Sequence, residues 1–142
     1  MVLFTSCDAY GRQAEYVRYG LEFDRLIKNI DKILLLLPKV TVVIMSTFNI
    51  FSIFTYEQLV KKVYELKVKH FNPDRFWNSA LILDTSYLRF PSFLSVNILE
   101  REHKELILDA AKKALYYGKF ENGYGFSDIQ IQKIKLNIRI LH

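Results

Sequence analysis

The sequence predicts an α/β fold, a partial (β/α) half-barrel in which three parallel strands alternate with helices and the C-terminal end is helical. Three observations lead there. Short apolar or β-branched runs recur at residues 2–4, 40–45 and 80–83. Segments with apolar residues at three- and four-residue steps lie between and after them. Each run also gives way to Ser, Thr, Asn or Asp at its C-terminal end. Strands that alternate with helices imply parallel pairing through right-handed crossovers. The α/β unit is expected to occupy residues 1–117, with a linker and a C-terminal helix over 118–142.

Taken in order, a strand covers about residues 2–7. At period two, Ser6 and Asp8 share one face and Cys7 points to the other. Residues 9–20 read as a polar loop. Phe23, Leu26, Ile27, Ile30, Ile33, Leu34 and Leu37 then form one helical face, which Pro38 ends. Residues 40–45, Val-Thr-Val-Val-Ile-Met, have the make-up of a strand buried on both faces. Ser46, Thr47 and Asn49 follow at its exit.

Thr55 and Gln58 have capping-box spacing, and the helix they open carries Leu59, Val63 and Leu66 on one face and ends near His70. Asn72-Pro-Asp is a turn. Residues 80–83 are a third buried strand leading into Asp84, Thr85 and Ser86. Pro91 makes residues 89–93 a loop. Residues from about 100 to 117 form a helix with Leu106, Ile107, Ala110, Ala111, Ala114 and Leu115 inward, and a linker runs over 118–125. In residues 128–141, alternation at Ile134, Leu136, Ile138 and Ile140 fits a strand. Ile131, Ile134, Ile138 and Leu141 fit a helix instead, which the cap-like residues 127–130 favour.

Composition excludes several classes. At 142 residues and 51% hydrophobic, the chain is one domain with ample core. The net charge of +5 comes with lysines interleaved among acids and apolar residues, as on solvated helix faces, so no nucleic-acid partner is expected. A single cysteine excludes an internal disulfide and CxxC chemistry, and suits a reducing, cytoplasmic compartment. His70, His103 and His142 show no metal-ligand spacing and are expected at the surface; no metal site is expected. The longest apolar stretches fall short of the roughly 20 residues that span a bilayer, so no membrane partner is expected. Nor does the N-terminal segment show a positive region followed by an apolar one, as a signal peptide would.

The informative pattern is the repetition of polar strand ends: Ser6 and Asp8, then Ser46, Thr47 and Asn49, then Asp84 and Ser86. Polar groups at the end of a core strand are costly unless they meet a ligand or find partners. Three such ends can line one pocket, as in barrels and open α/β sheets. The structural alternative is an ordinary strand exit in which Asp8 and Arg18 pair with each other. Arg18 has Glu15 and Glu22 as other candidate partners.

Ser6-Cys-Asp8, Arg18 twelve residues after the serine, and Tyr19-Gly20-Leu-Glu-Phe23 leading into a helix resemble the fourth strand and following loop of radical S-adenosylmethionine enzymes. Met45-Ser-Thr-Phe-Asn49 and Asp84-Thr-Ser-Tyr-Leu-Arg-Phe-Pro91 are similar to later strand exits in the twitch and SPASM branch. The resemblance extends over about residues 2–140, and order and spacing make it specific rather than any one motif. It implies S-adenosylmethionine as cofactor. Ser6, together with Asp8, would contact its ribose or methionine part, and Arg18 would bind its carboxylate as a planar fork. Ser46, Thr47 or Asn49 would line the methionine end, and Leu83 would pack on the adenine. Asp84, Tyr87 and Arg89 would face the substrate.

The chain departs from that family where chemistry begins. Radical S-adenosylmethionine enzymes hold a [4Fe-4S] cluster through a CxxxCxxC loop, and thiolate ligation requires those cysteines. Here Cys7 stands alone, and the family's first three strands have no counterpart. The resemblance is therefore to the second half of the barrel: a fragment with part of a cofactor site, inactive alone, in which a [4Fe-4S] cluster enters only with a missing N-terminal half. The expected partner is that cluster-bearing half, or another partner covering the exposed sheet edge. The alternative is a non-catalytic α/β binding or scaffold module acting through protein–protein contacts.

Overall fold

A computed structural model describes residues 1–75, 79–88 and 90–116, together with Gln132, Lys135, Leu136 and Arg139. Its elements are β1 (Val2–Ser6), α1 (Arg12–Val17), α2 (Phe23–Leu36), β2 (Thr41–Phe48), α3 (Tyr56–Lys69), β3 (Leu81–Tyr87) and α4 (Arg101–Tyr116). Single 3-10 turns sit at Ile53–Thr55, Ser92–Leu94 and Val96–Ile98. The strands form one open parallel sheet in the order β1-β2-β3. The fold is thus mixed α/β with helices between parallel strands.

Register sorts the side chains. Leu3, Val42 and Leu81 align, as do Thr5, Ile44 and Leu83, on the face that meets the helices. Phe23, Ile30 and Leu34 of α2 and Leu59, Val60, Val63 and Leu66 of α3 complete that core. Burying each such side chain contributes about 1.5–3 kcal/mol. The opposite face carries the row Phe4, Val43 and Ile82 and the row Ser6, Met45 and Asp84, with Phe4 and Met45 exposed.

Five local expectations change. Residues 12–17 are helical rather than loop, opened at Gly11, whose φ of 57° suits glycine. β1 ends at Ser6, whereas β2 and β3 run on through Ser46 and Thr47 and through Asp84, Thr85 and Ser86. The Thr55 and Gln58 capping box does not form: α3 has no side-chain cap, and the Thr55 hydroxyl accepts the Tyr10 amide at 3.0 Å instead. Thr55 is held by a contact 45 residues away, which outweighs the local motif.

His70 is buried and Nε2 lies 2.6 Å from Asp31, because the C-terminal end of α3 folds onto α2. Lys67 likewise leaves the solvated face: it is buried, with Nζ donating to Ser79 Oγ at 3.1 Å. His103 is exposed as expected.

Buried Arg75 ties the turn before β3 to α2, donating to the Leu34 carbonyl at 2.7 Å and to the Val40 carbonyl. α4 packs on α3. Its expected inward side chains, Leu106, Ile107, Ala110, Ala111, Ala114 and Leu115, lie outside the described ones, as do the 118–125 linker and the 127–130 cap. At the C-terminal end, Gln132, Lys135, Leu136 and Arg139 have helical backbone and are exposed. Their spacing is that of one helical face. No helix among the described residues is long and apolar enough to cross a membrane.

Candidate functional site

The C-terminal ends of three parallel strands meet at one side of the sheet, where Asp8 organises the first two. After β1 stops, the chain turns and buries the Asp8 carboxylate. Its Oδ1 accepts the Thr47 amide at 2.7 Å, and its Oδ2 accepts Arg18 Nε at 2.8 Å. Arg18 Nη2 reaches Oδ1 at 3.4 Å. In β2 the peptide groups of odd-numbered residues point toward β1, as the bond from Cys7 N to Met45 O shows. Asp8 thus satisfies the first ladder amide that β1 no longer reaches.

The matching carbonyl is satisfied the same way. Thr47 O accepts Asn49 Nδ2 at 3.0 Å and Ser52 Oγ at 3.2 Å. Asn49 Oδ1 accepts the amides of Phe51 and Ser52 at 2.9 and 3.2 Å, closing an Asx-type turn that leads toward α3. Asn49 therefore spends both ends of its amide on the backbone.

Arg18 follows α1, and its side chain remains 40% exposed although Asp8 holds one edge of it. The fork contacts leave Nη1 outside the pair. Glu15 and Glu22, the other candidate partners, are engaged elsewhere: Glu15 Oε1 accepts the Phe23 amide at the start of α2, and Glu22 meets Arg25 at 3.4 Å. A carboxylate at a helix N-terminus is favourably placed there. Arg18 and Asp8 thus form the pair that the structural alternative expects, with the guanidinium at the rim.

The remaining candidate residues divide by strand parity. Ser6 is half-buried beside Met45 and Asp84 on the face away from the helices, and Asp84 is half-buried there too. Thr47 is half-buried beside exposed Ser86. Ser46 and Leu83 are both 2% exposed and point into the helix-covered core. Ser46 Oγ lies 3.5 Å from Asp8 O, and its neighbour Thr85 shares a 3.0 Å hydrogen bond with the buried Tyr56 hydroxyl. The backbone of Tyr87 pairs with Phe48, but its side chain and all of Arg89 lie outside the described residues. Ser6 and Asp8 do not share a face, because Asp8 stands beyond the strand and turns inward onto Thr47.

Cys7 is fully buried, and Sγ donates to the Ala9 carbonyl at 3.2 Å. Burial pushes its thiol up to about 11, against the lowering effect of that hydrogen bond. A neutral, enclosed thiol is no cluster ligand, and no group of three or more His, Cys, Asp or Glu among the described residues is arranged to hold a metal ion. The chain's own residues do not fit a [4Fe-4S] cluster. For S-adenosylmethionine the fit is partial: Arg18, Ser6 and Thr47 are accessible, whereas Asp8, Ser46, Asn49 and Leu83 are occupied inside the fold.

Sequence reasoning missed Ser52, which holds the second strand end through Thr47 O, and the bond by which Thr55 holds Tyr10 after β1. A hydroxyl three residues after Asn49 is the signal that points to a turn there. Comparison with protein-family models, curated proteins and solved structures finds no match to this chain.

Proposed function

We propose that the chain is the cofactor-end half of a barrel of the radical S-adenosylmethionine type, binding S-adenosylmethionine at its strand ends and depending on a separate cluster-bearing half for any radical chemistry. The observation that carries this reading is Arg18: a guanidinium fixed by buried Asp8 at a strand end, with part of its fork facing solvent. A pre-oriented arginine suits a carboxylate, since less freedom is lost when the second set of hydrogen bonds forms.

Ser6 and Thr47 lie within the same strand-end region and offer hydroxyls to a polar ligand. Open parallel sheets take ligands at the carboxyl ends of their strands. The reading assigns no bond-breaking step to this chain. Equilibrium dialysis against S-adenosylmethionine tests it, with the chain alone and mixed with a barrel half bearing CxxxCxxC. Saturable binding in either state supports it. Its absence in both overturns it.

A scaffold role is the second reading. Phe54, Phe90 and Phe93, on the loops after β2 and β3, are exposed and favour it, because aromatics are enriched at contact surfaces.

A further inference from the structure

The outer edge of β1 has a geometry that the cofactor reading does not use. Thr41 N donates to Met1 O at 3.2 Å, and Cys7 N donates to Met45 O at 3.0 Å. Odd-numbered residues of this strand therefore direct their peptide groups at β2. Val2, Phe4 and Ser6 direct theirs outward, and β1 is an edge strand with no described strand beyond it. Natural edges are commonly blunted by lysine, proline or a bulge. Residues 2–6, Val-Leu-Phe-Thr-Ser, contain no charge and no proline, and their register against β2 is uninterrupted.

We propose that this edge pairs with a second copy of the chain, β1 against β1 in antiparallel orientation, with Phe4 facing Phe4 across a twofold axis. In that register Val2 lies opposite Ser6 of the second copy, so every outward peptide group of both strands enters a hydrogen-bonded pair. The strand is its own complement. Because it is uncharged, the alignment sets no like charges opposite one another. The Phe4 ring, 66% exposed, gains an aromatic cross-strand partner beside half-exposed Met45. The product is one six-stranded sheet with an isologous interface.

This inference does not rest on the cofactor reading, and solution mass is independent of S-adenosylmethionine binding. One edge holds one strand, so the dimer and a barrel closed at β1 by a separate half exclude each other on the same molecule.

Sedimentation of the full chain at micromolar concentration tests it, with position-specific cross-linking to fix the register. The expected result is a dimer that Phe4→Pro weakens at least about tenfold, since the lost amide points away from β2 and edge strands tolerate proline there. Under mild oxidation Phe4→Cys should cross-link readily, because paired Cα atoms near 5.5 Å suit a disulfide. Val2→Cys should not, as its equivalent would sit about four residues along the strand, ~14 Å away. Cys7, fully buried, stays silent. A monomeric wild-type chain overturns the proposal. So does a dimer that cross-links as well through Val2→Cys as through Phe4→Cys, which reports a slipped or parallel contact.

Discussion

The Asp8 carboxylate accepts the Thr47 backbone amide at 2.7 Å, replacing with a side chain the ladder bond that β1 stops supplying after Cys7. The same carboxylate fixes Arg18. A polar strand end here serves two purposes at once: it terminates the sheet without an orphan amide, and it orients a guanidinium at the rim.

Removing Asp8 should therefore cost more than a surface ion pair. Asp8→Ala is expected to lower unfolding free energy by about 2–4 kcal/mol, because it leaves the half-buried Thr47 amide without its acceptor as well as freeing Arg18. Asp8→Asn should lose less, since its amide oxygen still accepts from Thr47. Urea unfolding of the three proteins checks the order.

Asn49 should behave as a structural residue. Asn49→Ala removes three hydrogen bonds to backbone groups and is expected to destabilise by about 2 kcal/mol. Asn49→Asp keeps the acceptor for Phe51 and Ser52 but loses the donor to Thr47, so it should fall between. Thermal unfolding distinguishes these outcomes.

Lys67 makes stability rise in mild alkali. Burial lowers its folded-state value to about 8, below the unfolded value of about 10.4. Between those values the unfolded chain binds more protons, so stability climbs with pH over that window and the charging penalty is fully present below it. Lys67→Met is expected to flatten this segment of a stability-versus-pH curve. An unchanged slope would show that Lys67 is solvated.

Cys7 should be silent in the native state. With its thiol pushed up to about 11 and fully enclosed, alkylation at pH 8 is expected only at the rate of global unfolding. Mass spectrometry after timed exposure, with and without urea, measures this. Rapid native labelling would contradict the buried placement.

The alternation of elements was legible because its signals are local. The β-branched run at residues 40–45 and the stepped apolar face of α2 each dictate one structure. Side-chain direction at the strand ends was partly legible. Ser46 follows Val42 and Ile44 at period two, so its inward course could be read once β2 was known to continue past Met45. Asn49 could not be assigned that way, since an amide that caps a turn and one that holds a ligand are the same residue type. Thr55 and His70 were illegible for a different reason: their partners, Tyr10 and Asp31, are distant in sequence and meet them only through tertiary packing.

Cofactor binding through Arg18 is tested most directly by titration calorimetry with S-adenosylmethionine and its decarboxylated analogue, on wild type and Arg18→Ala. If Arg18 meets the ligand carboxylate, wild type should favour S-adenosylmethionine at least about tenfold, and Arg18→Ala should bind both ligands alike. Equal affinity of the wild-type chain for the two ligands, or a preference that survives Arg18→Ala, would contradict that role.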